Sequence, residues 1–145
     1  GTLAGAGPAL LEVYSTFGAD IGIAFQLRDD LLGVFGDPSV TGKPSGDDLR
    51  EGKRTVLLAA ALDAADERDP ATAAALRAGI GTDLSEAAVD DLRARMIDLG
   101  AVDDVERRIT TLTDSALAAL NASDVTEDAK RRLTAMAYTA TRRTS

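Results

Sequence analysis

The stretch PALLEVYSTFGADIGIAFQLRDDLLGV, Pro8–Val34, decides the fold class. Pro8 suits the first turn of a helix, where its missing N–H is not needed. Behind it, Leu10, Leu11, Val13, Phe17, Ile21, Ile23, Phe25 and Leu27 cover most sides of a helix rather than one stripe. That pattern predicts a helix buried at the centre of a bundle. Gly18 and Gly22 lie four apart, each costing about 1 kcal/mol relative to Ala, and open one side to close approach. Near its end the apolar run is broken by Asp29 and Asp30 side by side.

Working outward, GDPSVTGKPSG (Gly36–Gly46) holds two Pro and three Gly and reads as a loop. Helical spacing then predicts a second helix from about Asp48 to Arg68, with Leu57, Leu58, Ala61, Leu62 and Ala65 inward. A short helix follows Pro70 and stops near Gly79 and Gly81. Ser85 caps the next, which Gly100 ends. Val102, Val105, Ile109, Leu112, Ala116 and Leu120 form a clean stripe on another. Thr126 caps the last, and Arg142 and Arg143 suit its C-terminus. No run alternates with period two. The expectation is an all-α antiparallel helical bundle, residues 1–145 forming a single helical domain.

Composition narrows the chemistry. The 145 residues are 45% hydrophobic and 28% charged, enough for a globular core built from aliphatic side chains, since aromatics are only 3%. The net charge of -8 argues against nucleic acid as a partner and favours cations. With neither Cys nor His, disulfides, the usual zinc sites and imidazole bases are all excluded. No stretch is long and apolar enough to span a membrane. The apolar start lacks the basic residues of a signal peptide, so a cytoplasmic location is expected.

One window differs from the rest: FQLRDDLLGVFGDPSVTGKPSGDDLREGKRT, Phe25–Thr55. Two adjacent carboxylates in an apolar context repel each other and resist desolvation, so a cation should neutralise them. Mg²⁺ is commonly held by one or two carboxylates with phosphate and water. Gln26 lies on the same helical side, three before Asp29 and four before Asp30. Downstream, Lys43 sits in the glycine-rich loop and Lys53 follows Asp48; lysines act as point charges for phosphate. Asp90–Asp91 and Asp103–Asp104, set among arginines, read instead as solvated helix faces.

The window closely resembles the second aspartate-rich region of the trans-isoprenyl diphosphate synthases, the polyprenyl synthetase family, in a form most similar to bacterial geranylgeranyl diphosphate synthases. The resemblance implies a helical fold around a central cavity and a Mg²⁺-dependent prenyltransferase. Such an enzyme ionises an allylic diphosphate and joins it to isopentenyl diphosphate, usually as a homodimer. It places Gln26, Asp29 and Asp30 on the family's FQxxDD, with Asp29 the principal Mg²⁺ ligand, Asp30 the second carboxylate and Gln26 a polar neighbour. Lys43 and Lys53 would grip diphosphate, and Asp48 would orient Lys53 or a metal-bound water. Asp47 is left as solvated surface.

Two departures accompany the resemblance. The motif DDxxD reads DDLLG here, with Gly33 one turn past Asp29; Asp37, a further turn on, would partly substitute if the helix continues. The family's first DDxxD is missing altogether. The chain is therefore expected to be the C-terminal part of such an enzyme, with the second aspartate-rich region at 25–55 and C-terminal helices at 56–145. Alone it should be inactive, supplying only the second metal and diphosphate half-site. The alternative is a non-catalytic helical subunit of a heteromeric prenyl synthase.

Overall fold

A computed structural model describes residues 3–37, 39 and 46–142. Among them the order is α1 (Leu3–Phe35), α2 (Asp47–Glu51), α3 (Val56–Arg68), α4 (Pro70–Gly79), α5 (Glu86–Asp98), α6 (Ala101–Asn121) and α7 (Glu127–Thr141). No strand occurs among the described residues, so the chain is all-α as its periodicity predicts. No helix among them is long and apolar enough to cross a membrane.

The helix starts follow local chemistry. Thr55 Oγ1 accepts from Leu58 N–H at 3.1 Å, Ser85 Oγ from Ala88 N–H at 3.1 Å, and Thr126 Oγ1 from Ala129 N–H at 3.2 Å. Each satisfies one of the amides that a helix leaves without an internal partner. At α4, Pro70 opens the helix and Asp69 caps it, accepting from both the amide and the hydroxyl of Thr72.

The helix expected over Asp48–Arg68 is instead two helices, α2 and α3. Gly52 takes a left-handed conformation at φ 72° and ends α2 after Glu51, and Thr55 starts α3 in an extended conformation. No apolar residue lies between Leu49 and Val56, and within that polar stretch Gly52 and Thr55 mark the break.

The described residues fall into two compact units. One comprises 3–28 and 108–142. Its core is Phe17 and Ile21 with Ala116, Leu117, Leu120, Val125 and Ala137. Arg28 Nε donates to the Thr141 carbonyl at 2.7 Å, holding the last turn of α7. On α1 of this unit Leu11 is 69% and Ile23 52% exposed, and nothing lies within 4 Å of a Cβ built at Gly18 or Gly22. The helix expected to be buried on most sides therefore leaves Leu11 and Ile23 open.

The other unit comprises the described residues from 29 to 107. Leu57, Ala61 and Ala65 of α3 are buried in it, as are Ala73 and Leu76 of α4 and Val89, Leu92 and Met96 of α5. Two arginines fasten its helix ends: Arg68 donates to the Leu99 carbonyl at 2.6 Å, and Arg93 Nε to the Val34 carbonyl at 2.6 Å. The second contact fixes the end of α1, where the two aspartates lie.

Candidate diphosphate and metal site

Asp29 and Asp30 are neighbours on α1 with opposite surroundings. The side chain of Asp29 is 43% exposed, whereas Asp30 is buried. Lys53 reaches this helix from the turn after α2: its Nζ lies 3.8 Å from Asp29 Oδ2 and 3.7 Å from Asp48 Oδ2. Two carboxylates from separate helices thus share one ammonium.

The turn that carries Lys53 is specified by sequence. Gly46 precedes α2 with φ 73° and Gly52 follows it with φ 72°. Lys53 N–H donates to the Asp48 carbonyl at 3.0 Å and Gly52 N–H to the Leu49 carbonyl at 3.3 Å. This is the Schellman pattern of a helix closed by a left-handed glycine. Asp48 and Lys53 are therefore linked through both backbone and side chains. Gly81 N–H donates to the Leu49 carbonyl at 2.8 Å, and Arg50 Nε to the Leu84 carbonyl at 2.9 Å. These bonds seat α2 on the α4–α5 connection.

Asp48 itself is buried, and its Oδ2 accepts no hydrogen bond. Its carboxylate occupies the space beside Gly33, where a built Cβ would overlap it. The sequence did not reveal this relation, since nothing in the spacing shows which side chain will fill the place a missing Cβ leaves.

The other sequence-predicted residues are placed as follows. Gln26 stands on α1 one turn before Asp29, with its side chain exposed. Asp47 is partly buried at the start of α2 rather than fully solvated. Lys43 lies outside the described residues. Asp37 does not extend the motif, because α1 ends at Phe35 and Gly36 N–H closes on the Leu32 carbonyl at 2.8 Å. Asp37 Oδ1 instead accepts the amide and hydroxyl of Ser39 at 2.9 and 2.8 Å. Those bonds, the amide first, hold its carboxyl below the ordinary carboxylate value.

The remaining Asp-Asp pairs are surface features, as expected. Arg93 pairs with Asp90, Arg95 with Asp91 and Arg107 with Asp104, each within one helical turn. Such exposed pairs contribute little. A separate groove of about 590 Å³ is lined largely by Leu58, Ala59, Leu62 and Ile80, with Arg54 and Arg77 among its walls. It includes none of the aspartates or lysines described above.

Among the described residues no three or more acidic side chains converge as a ready cage for a metal. What the site offers is hard oxygen donors beside an ammonium, a combination suited to a divalent cation that completes its shell with phosphate and water. Residues 1–95 match the family model described as polyprenyl synthetase. This chain belongs to the polyprenyl synthetase family.

Within that family, similarity is high to a geranylgeranyl pyrophosphate synthase from Corynebacterium glutamicum, solved with isoprenyl diphosphate and magnesium. It is 51% identical, with a TM-score of 0.88, over 92% of this chain and 38% of that one. A polyprenyl synthase from Caulobacter crescentus, solved with calcium and isoprenyl diphosphate, is 32% identical over 92% of this chain and 40% of its own, with a TM-score of 0.78. Among curated polyprenyl synthetase relatives, the geranylfarnesyl diphosphate synthase of Aeropyrum pernix is 44% identical over 72% of this chain. The chain spans 31% of that relative's length. The fold is thus that of the isoprenoid synthases, of which this chain spans a minor share.

Proposed function

We propose that this chain supplies the second metal and diphosphate half-site of a Mg²⁺-dependent prenyltransferase. The enzyme would condense an allylic diphosphate with isopentenyl diphosphate to a longer polyprenyl diphosphate, geranylgeranyl diphosphate being favoured. The observation that carries the reading is the convergence of Asp29, Asp48 and Lys53, with Lys53 Nζ within 3.8 Å of both carboxylates. The half-exposed Asp29 fits an oxygen-preferring divalent ion, and the buried Asp48, paired with the same lysine, fits a residue that orients it.

In this reading Asp29 is the principal Mg²⁺ ligand and Asp30 the second carboxylate. Lys53 and Lys43 grip the diphosphate, Gln26 is a polar neighbour, and Asp48 orients Lys53 or a metal-bound water. When bound, Mg²⁺ acts as a Lewis acid on the departing diphosphate and as a template for it. The protein's own contribution is to fix one end of the substrate: Lys53 meets phosphate oxygens from a turn whose backbone is closed by Gly52. The chain acts as a C-terminal helical domain fragment, with the aspartate-rich region at 25–55 and supporting helices at 56–145. It is inactive alone, and the complete enzyme is a cytoplasmic homodimer.

Isothermal titration of the 145-residue chain with inorganic diphosphate tests this. Binding should require Mg²⁺ and be lost in Asp29→Ala. Mg²⁺-independent binding, or none, refutes the half-site; turnover of isopentenyl and allylic diphosphates by the chain alone refutes its inactivity. The alternative, a non-catalytic helical subunit, would be favoured by the carboxylate missing at Gly33. The Asp48 carboxylate beside that glycine counts against it.

A further inference from the structure

The geometry points to Gly33 as a positioning residue: lacking a Cβ, it seats the Asp48 carboxylate against α1, and the two together deliver from α2 the carboxylate that α1 does not carry at position 33. The inference rests on the half-site reading above and assigns it a residue that touches neither metal nor diphosphate.

Three observations carry it. A Cβ at Gly33 would overlap the Asp48 carboxylate, so any other residue there displaces it. Asp48 is 7% exposed, yet its Oδ2 accepts no hydrogen bond, and the Lys53 ammonium stands 3.7 Å away, beyond hydrogen-bonding range. A buried carboxylate oxygen without a donor is costly and rare, and each such atom in a folded protein calls for a role. Position 33 also lies one turn beyond Asp29 and Asp30 on α1, so the seated carboxylate joins the flank on which those two stand. Asp29 and Asp48 already share Lys53. The place of Asp48 suits a carboxylate that accepts a hydrogen bond from cation-bound water, completing the surroundings of the ion that Asp29 ligates.

Packing alone would need only that Gly33 and residue 48 fit together, whereas the inference needs the carboxylate as well. The test measures the affinity of the 145-residue chain for inorganic diphosphate at saturating Mg²⁺, with thermal unfolding as the check on folding. Asp48→Ala should lower affinity about tenfold or more, as loss of a group outside the direct ligands typically does. Gly33→Ala should lose as much, because its methyl group expels the carboxylate. Gly33→Ala with Asp48→Ala relieves the overlap, so it should keep the fold yet bind no better than Asp48→Ala. Gly33→Asp with Asp48→Ala returns a carboxylate to the flank and should recover affinity to within about threefold of the parent chain, a coupling that independent sites would not show.

If Gly33→Ala does not fold, the two double variants decide. Parent-like binding by Gly33→Ala or by the double-alanine variant overturns the inference and leaves the half-site reading standing. So does a failure of Gly33→Asp with Asp48→Ala to exceed Asp48→Ala. No Mg²⁺-dependent binding by the parent chain overturns the half-site reading, and the inference with it.

Discussion

Lys53 and Asp48 are joined twice, by a 3.0 Å hydrogen bond from the Lys53 amide to the Asp48 carbonyl and by a 3.7 Å approach of their charged groups. The backbone bond sets where the lysine leaves the chain, and the carboxylate limits where its ammonium goes. The Lys53 side chain remains 42% exposed, so the ion pair is worth less than about 1 kcal/mol to the fold. Lys53→Gln should therefore leave stability within about 1 kcal/mol of the parent in urea unfolding. Diphosphate affinity should fall about tenfold or more, since hydrogen bonds to charged groups are worth about 1.5–3 kcal/mol. Unfolding without a change in affinity would remove Lys53 from the site.

Asp29 and Asp30 should separate function from stability. Asp29 is half-exposed, and Asp29→Asn should abolish Mg²⁺-dependent diphosphate binding with little change in unfolding. Asp30 is 4% exposed, and Asp30→Ala, which removes a buried side chain, should cost about 0.5–3 kcal/mol of stability. Paired chemical denaturation and titration of the two variants check the contrast; equal effects on stability would refute it.

Gly52→Ala should cost more than Gly100→Ala. Both glycines are left-handed, at φ 72° and 79°, where a Cβ costs about 1–2 kcal/mol. At Gly100 nothing lies within 4 Å of a built Cβ, whereas at Gly52 it would stand 3.1 Å from the Cα of Gly81. Only Gly52→Ala should also weaken diphosphate binding, because its turn carries Lys53. Equal thermal midpoints would show that the approach to Gly81 yields freely.

Acid sensitivity should reside partly in the cap of α4. The hydroxyl of Thr72, and after it the Thr72 amide, hold the Asp69 carboxyl below its ordinary value of 3.8. A carboxyl depressed in the native state adds stability above its unfolded value, and that stability is lost as the pH falls through the depressed one. Thr72→Val removes the larger cause, so the Asp69 titration followed by NMR should move up toward 3.8, and the chain should lose less stability on acidification. An unchanged titration would assign the depression to some other contact.

The apolar side of α1 should drive self-association. Leu11 is 69% and Tyr14, one turn on, 43% exposed. Leu11→Gln combined with Tyr14→Gln should lower the apparent mass in sedimentation velocity at high concentration. The same mass for both proteins would leave these side chains without that role.

Much of this was legible in the sequence because its causes are local. Thr126, Ser85 and Pro70 mark helix starts through chemistry that acts within three residues, and the stripe through Val105, Ile109, Ala116 and Leu120 is buried as its spacing requires. The break between α2 and α3 falls in the polar stretch 50–55, where Gly52 and Thr55 mark it and helical spacing alone does not. Asp37 could substitute only if the helix continued, and the helix ends two residues before it, where its carboxylate turns to Ser39. The seat of Asp48 beside Gly33 is a tertiary contact between residues of different elements, and neither residue signals it alone.

The hydrogen bond from Gly81 to Leu49 makes one proton a clock for the seat of α2. Gly81 is exposed on a loop, yet its amide is held at 2.8 Å by the carbonyl of a buried leucine in α2. Replacement of that proton by deuterium requires this bond to open, whether α2 or the loop moves away. The exchange rate at this single glycine therefore counts how often the seat of α2 opens, with no ligand needed to observe it.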